Sequence, residues 1–362
     1  MIRRRTGTVQ EIISQRGLCS ELAVISEGER VKAVNYIDLT GPAYPGDRVL
    51  LNNTALHLGL GTGGFDFVCH NFSRPLPPFG RSGHIMKLRY TPWQIRVLAC
   101  EEEAAGNQEQ LAAFRSLEGR PMLIGGLHST LAPAAAVIKH YRPSCRLVYL
   151  MTDGGALPLH FSRAVAELRE KGLLSGTVTC GHAFGGDLEA VNVYSALVAS
   201  RVILKADLII IAMGPGHVGT GTRYGFSAIE VGEHVNRVNV LGGVPVVIPR
   251  LSGADSRSRH CGVSHHTLTA LAEAALSPAD LVLPLVRRSQ LKPLLEQLRQ
   301  AGITRRHRLL VKKAPPVGEI MGRFGLAPPE TMGRGYKQDP LFFQAVGAAA
   351  LAAAEKVKKS ND

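Results

Sequence analysis

Leu208-Ile-Ile-Ile-Ala-Met-Gly-Pro-Gly-His-Val-Gly219 is the stretch that decides the fold. Its first half is an unbroken apolar run, the mark of a strand buried on both faces, and its second half is a glycine-rich loop that follows the strand directly. Similar runs recur at Met122 to Gly125, Leu147 to Met151, Thr177 to Cys180, Val244 to Ile248, Leu281 to Leu285 and Leu309 to Val311, with helical patterns between most of them. Apolar strands alternating with amphipathic helices predict an α/β fold, a doubly wound and mostly parallel sheet covered on both faces. This domain is expected to span residues 120–362 and to end in an alanine-rich buried helix, Phe342 to Ala354. That run is shorter than the roughly 20 residues a membrane crossing needs, so no membrane partner is expected.

Working outward, Thr6 to Phe72 carries short apolar runs broken by turn signals, which predicts a small β-barrel or sandwich over residues 1–83. Its loop Leu58-Gly-Leu-Gly-Thr-Gly-Gly-Phe65 reads either as an approach to a ligand or as a bend at a barrel corner. Ser73 to Gly83 reads as a linker. Residues 84–119 form a connecting segment, with a strand pair or strand-helix transition at Met86 to Ala99 and a helix at Glu101 to Leu117.

The chain has 362 residues, 45% hydrophobic and 20% charged, which excludes a disordered protein and fits one large or two moderate domains. Six cysteines, Cys19, Cys69, Cys100, Cys145, Cys180 and Cys261, stand far apart with no CxxC pair. Neither a disulfide framework nor a thiolate zinc site is indicated, and a reducing cytoplasm fits. The N-terminus has charge but no apolar region behind it, so no signal peptide is predicted. A net charge of +13 favours small anionic ligands, nucleic acid or acidic headgroups. Residues 287–313 hold nine Lys/Arg against Glu296 alone, but no aromatic residues interleave with them, so a solvated helix face is favoured over a nucleic-acid surface.

The unusual residues share one position, directly after a strand and before the next helix. Ligands of open parallel sheets bind there, outside the carboxyl ends of the strands. The five loops are Gly125-Gly-Leu-His-Ser-Thr, Thr152-Asp-Gly-Gly-Ala, Gly181-His-Ala-Phe-Gly-Gly-Asp, Gly214 to Thr222, and Arg250 to His266. Candidate ligand-binding residues on this rim are His128, Ser129, Gly154, Gly155, His217 and Thr220. Gly214-x-Gly216-x-x-Gly219 matches a dinucleotide fingerprint literally, yet no helix follows at once and no acidic residue sits on the next strand end, so NAD(P) is not expected. A phosphate or carboxylate cradle with Arg223 nearby is one reading, a glycine-rich connection needing positive φ the other.

Asp153 has the least structural excuse among the carboxylates and leads the acid/base candidates, with His182 beside it and Asp187 as a further catalytic candidate. Asp187 also reads as a cap for a helix starting at Leu188, and Ser227-Ala-Ile-Glu230 as a capping box. His128, Asp153, His182 and Asp187 form a candidate long-range divalent-metal set, although no HExxH or HxH spacing supports it. His260, His265 and His266 join the rim, and Arg257 and Arg259 present forks suited to an anion. No GxSxG elbow is present, and Cys180 reads as a buried thiol, so covalent catalysis is not expected.

Four segments, Met151-Thr-Asp-Gly-Gly-Ala-Leu-Pro, Gly181-His-Ala-Phe-Gly-Gly-Asp-Leu-Glu-Ala-Val-Asn, Met213-Gly-Pro-Gly-His-Val-Gly-Thr-Gly-Thr and Ser264-His-His-Thr-Leu-Thr-Ala-Leu, carry a resemblance. Together with Leu51-Asn-Asn-Thr-Ala, Gly59-Leu-Gly-Thr-Gly-Gly and Met332-Gly-Arg-Gly, they resemble the bacterial domain-of-unknown-function family 3866 over nearly the whole chain. The resemblance implies a bacterial, cytoplasmic protein and transfers no mechanism. The leading expectation is an enzyme, of hydrolase or transferase type and with metal assistance as a candidate, acting on a small anionic metabolite, with a phosphorylated one as a candidate. A ligand-sensing regulatory protein and a nucleic-acid binder using residues 287–313 are the alternatives.

Overall fold

Five strands with alternating inward and outward residues open the chain: β1 (Arg4–Arg16), β2 (Cys19–Ser26), β3 (Glu29–Tyr36), β4 (Arg48–Asn52) and β5 (Asp66–Asn71). In the computed structural model, which describes residues 1–61, 63–75 and 82–358, they close into a barrel in the order β1-β2-β3-β5-β4. β3 and β5 run parallel and the other neighbours antiparallel. Register shifts after Val9 and after Ile12 bend β1, which lets one long strand pair with both β2 and β4. Val9, Leu22, Val24, Ala33, Val49, Leu51 and Val68 fill the interior. The glycine-rich loop after Leu58 connects β4 to β5, and Thr62 within it lies outside the described residues, as do residues 76–81 of the expected linker.

A hairpin of β6 (Ile85–Lys87) and β7 (Ile95–Val97) follows. The compact unit that holds the barrel runs to Val97 and takes in His160–Ala166, so its limit lies beyond the expected 83. The returning segment is held by Arg163, whose guanidinium donates twice to Glu21 Oε1 at 3.1 and 2.7 Å, and by Phe161 against the rings of Tyr36 and Phe67.

The second unit, Leu98–Leu159 with Glu167–Asp362, is built on the expected parallel sheet. Its strands are β8 (Pro121–Gly125), β9 (Leu147–Thr152), β10 (Gly176–Cys180), β11 (Leu188–Ala190), β12 (Leu208–Met213) and β13 (Val244–Ile248). A short antiparallel pair, β14 (Leu251–Ser252) with β15 (Gly262–Val263), precedes β16 (Asp280–Pro284) and β17 (Arg308–Lys312). A last hairpin, β18 (Glu330–Thr331) with β19 (Arg334–Gly335), precedes the C-terminal helix. The eight sheet strands lie in the order β11-β10-β9-β12-β8-β13-β16-β17, all parallel. Every residue of β8, β9, β10 and β12 is buried, and each isoleucine from 209 to 211 contributes roughly 1.5–3 kcal/mol. The helix Leu131–Tyr141 packs against the C-terminal helix Pro340–Glu355, and Val193–Val202 against Glu230–Val240. The chain leaves β8 toward β9 on one side and leaves β12 toward β13 on the other, so the order of strand addition reverses around β9, β12, β8 and β13. In open parallel sheets, loops part at such a point and ligands bind in the crevice between them.

Three local expectations are corrected. Residues 101–117 form only a single 3₁₀ turn, Glu103–Ala105, and a short helix, Gln108–Ala112. Leu188 begins strand β11, paired to Val178, and the next helix starts at Val193, capped by Asn192. The Ser227–Glu230 capping box does not form: Ser227 Oγ turns to the backbone of Val218, and Glu230 reaches across to Thr152.

Candidate functional site

The loops after β9 and β10 bind each other. Asp153 is exposed, and its Oδ2 accepts the His182 backbone N–H at 3.0 Å, which ties the two loops together. Asp187 accepts from Arg169 Nη2 at 2.7 Å and from both the N–H and Oγ1 of Thr177 at 2.9 Å. His128 lies under the same rim, with Nδ1 3.2 Å from the Tyr149 hydroxyl and 3.3 Å from the Met213 carbonyl, and burial pushes its pKa down to about 4. Ser129 Oγ is 2.9 Å from Thr331 Oγ1 on the last hairpin. His128, Asp153, His182 and Asp187 are not gathered into a ligand set among the described residues, and Asp153 and Asp187 accept hydrogen bonds from separate internal partners. Among the described residues, His260, His265 and His266 form the group whose ligand atoms approach closely enough to hold an ion, all within 4.8 Å of one another.

Glycines join the loop after β9 to the loop after β12. A Cβ on Gly155 would lie 2.4 Å from the Gly214 carbonyl oxygen, and one on Gly214 would lie 2.4 Å from that of Ala156. Two backbones thus touch where any side chain would part them. Gly216, at φ +104°, makes the turn that follows. Gly154 approaches Glu230, whose carboxylate accepts from Thr152 Oγ1 at 2.9 Å. Farther along, Gly219 pairs with Phe226, Thr220 N–H donates to Gly225, and Arg223 donates to Glu273 through Nε at 2.8 Å. The first part of the fingerprint is a packing joint, and the guanidinium expected beside it is committed elsewhere.

Arginine and histidine meet on the other side of the crevice. Asp255, its side chain buried, accepts from Arg257 Nε at 2.9 Å and Nη2 at 2.8 Å, with Arg334 Nη2 at 3.4 Å and Arg250 Nη2 at 3.8 Å. The Arg257 fork holds the Asp255 carboxyl well below the usual carboxylate range. Asp339 accepts from Ser252 Oγ at 2.5 Å and from the Gly253 N–H at 3.0 Å, and lies 3.4 Å from Arg334 Nε. The loop from Arg250 to His266 is cross-linked by these bonds and by the β14–β15 pair.

Four imidazoles pack beside these arginines. His266 stacks on Phe226 at 4.1 Å and lies 4.3 Å from His265, while His217 and His260 are each 4.9 Å from it. His217 Nδ1 is 3.1 Å from Ser227 Oγ, His260 Nδ1 2.7 Å from Ser264 Oγ, and Arg250 Nη1 lies 3.1 Å from His266 Nδ1. The Nε2 atoms of His217, His265 and His266 are buried without a partner among the described residues. Burial, aided by Arg250, pushes His217 and His260 down to about 4 and His266 to about 2, and His265 is lowered likewise. All four are neutral at pH 7. A cavity of about 20 Å³, room for about one water, lies behind Arg250 and His266 on an apolar floor of Leu127, Val247 and Ile248.

Of the sequence candidates, His217, Arg257, His265 and His266 come together here, and Arg259 acts electrostatically on His265. Arg250, Asp255, Arg334 and Asp339 were not singled out. A charged residue placed immediately after β13 is a signal for the first; nothing local marks the last two, which arrive from 80 residues away. The basic segment 287–313 has several cations committed internally, Arg308 to Asp280, Lys312 to Glu355, Arg299 to Glu296 and Arg306 to the carbonyl of Ala275.

Fold and site define a doubly wound α/β protein with a small N-terminal β-barrel and a rim of strand-end loops. The chain belongs to the family described as protein of unknown function, DUF3866, whose model matches residues 32–350. No curated protein and no solved structure matches it.

Proposed function

We propose that this protein binds and converts a small anionic metabolite in the crevice at the carboxyl ends of β8, β12 and β13, in a reaction of hydrolase or transferase type. One observation carries the reading: three guanidiniums converge on the buried carboxylate of Asp255, next to four neutral imidazoles. Fixed positive charge at low local dielectric attracts an anion, and imidazoles that are neutral at pH 7 can accept a proton from a reacting group. Arg250, Arg257 and Arg334 supply the charge, while His217 and His260, each braced by a serine, are the proton-transfer groups. Asp153 and Asp187, which hold the neighbouring loops, are assigned no part in this chemistry. Dispersed free cysteines support a reducing, cytoplasmic setting for the reaction.

The thermal-unfolding midpoint, measured against nucleotides, sugar phosphates, acyl phosphates and carboxylates, with and without Mg²⁺, Mn²⁺ or Zn²⁺, tests this. An anion at about 100 times its dissociation constant adds roughly 2.7 kcal/mol of stability. Arg334→Gln removes most of that gain. Silence across all anions overturns the reading.

A further inference from the structure

We propose that the histidine cluster is a subsite for a phosphoryl dianion, in which His266 donates from Nε2, and that it is not a transition-metal centre. This rests on the reading of the crevice as an anion site and assigns its ligand group and its anchoring donor.

The argument starts from Arg250. A guanidinium has hydrogens and no acceptor, so the contact between its Nη1 and His266 Nδ1 at 3.1 Å makes Nδ1 the acceptor. A neutral imidazole whose Nδ1 accepts carries its proton on Nε2. His266 is 4% exposed, and its Nε2 has no partner among the described residues. The site therefore presents a buried N–H with no acceptor, oriented by stacking on Phe226 at an interplanar angle of 5°. Buried donors in native proteins are nearly always satisfied, and an oxygen of a bound ligand supplies the acceptor this one lacks.

The same proton argues against a metal. A metal needs the Nε2 lone pair, and Arg250 has placed a proton there. The charge around the cluster agrees. Arg250, Arg257 and Arg334 face Asp255 and Asp339, Arg259 adds a fourth positive charge near Arg250 and Glu230 a third negative one near His217, which leaves a surplus of one positive charge. Such a surplus favours an anion over a divalent cation, and a phosphoryl group offers an unpaired N–H more acceptor oxygens than a carboxylate does. The close approach of three histidines, which alone suggests zinc, is outweighed by the tautomer and by this field.

The test uses full-length protein with inorganic phosphate and with Zn²⁺ alone as probes. Two variants isolate the donor: His266→Phe keeps a ring against Phe226 and removes the N–H, whereas His266→Gln returns an amide N–H near the Nε2 position. The expected result is phosphate affinity at least about tenfold weaker in His266→Phe and largely recovered in His266→Gln, with ring ¹⁵N shifts placing the His266 proton on Nε2. If His266→Phe does not fold, the ¹⁵N shifts of the unaltered protein and the His266→Gln affinity decide. Phosphate binding that survives unchanged in His266→Phe leaves the arginine site standing and removes this inference. One Zn²⁺ per chain, lost in His260→Ala and His265→Ala, replaces it with a metal centre. If no anion binds the unaltered protein, both readings fall.

Discussion

The loops after β9 and β10 and the loops after β12 and β13 leave the same edge of one sheet and are equally rich in glycine, histidine and charge, yet they differ in one respect. On the first side the carboxylates are engaged by the fold: Asp153 by the backbone of His182, Asp187 by Arg169 and Thr177. On the second side they are left over, with three imidazole nitrogens unpartnered and more guanidinium than carboxylate. Position on a rim nominates a residue for function, and unspent hydrogen-bonding capacity decides which nominees hold it.

The comparison breaks most visibly at Asp255. Asp255→Asn removes the main counter-charge from three partly buried guanidiniums, and because water reaches them the loss is that of charged hydrogen bonds, about 1.5–3 kcal/mol, and not that of a fully buried pair. Urea unfolding measures it. A loss below about 1 kcal/mol would mean that the arginines are solvated and that the surplus of positive charge has little force. Next comes the seam between the two sides. Gly214→Ala places a methyl carbon 2.4 Å from the Ala156 carbonyl oxygen, and overpacking of this kind costs about 1–3 kcal/mol. Phosphate affinity per folded molecule should stay the same, since the joint packs backbone and does not cradle a ligand.

These two substitutions also show what the sequence could disclose. The parallel sheet was legible because β8, β9 and β12 are buried on both faces and are apolar almost throughout, with only Thr152 at the end of β9 and the Tyr149 hydroxyl to blur the pattern. β11 was not, because three residues at an edge, one of them Glu189, give no such run. The rim was legible as a place, since glycines and histidines after strands mark it. The side proposed to carry the chemistry was not, because Arg334 and Asp339 reach the loop after β13 only through the fold, and sequence spacing holds no trace of that meeting. Asp153 looked freer than Asp187 for the same reason: its partner is a backbone N–H, and a backbone N–H is invisible in a residue list.

A pH titration sharpens the comparison without any substitution. The folded histidines take up protons near pH 4 at His217 and His260 and near 2 at His266, whereas the unfolded chain takes them up near 6.5. Between those values the unfolded state binds more protons, so stability is full near pH 7 and falls as pH drops below about 6.5, by up to about 1.4 kcal/mol per pH unit for each fully buried histidine. His260→Phe should flatten this slope. A slope unaffected by any substitution in the cluster would place the titrating groups elsewhere.

The smallest expected effect is the most discriminating. Asp153 is the carboxylate that sequence position recommends for acid/base chemistry, and the structure gives it one backbone hydrogen bond at an exposed site. Asp153→Asn keeps an oxygen that can accept the same N–H, so it should cost less than about 1 kcal/mol and leave phosphate affinity unchanged. If turnover, once a substrate is found, falls by orders of magnitude in this variant while stability and phosphate binding hold, then a group whose hydrogen bond looks structural is also catalytic. Spent and unspent bonding capacity would then no longer separate the two sides of the rim, and the reacting centre would have to lie between them, with Glu230 and the loop after β9 facing the histidines across the ligand.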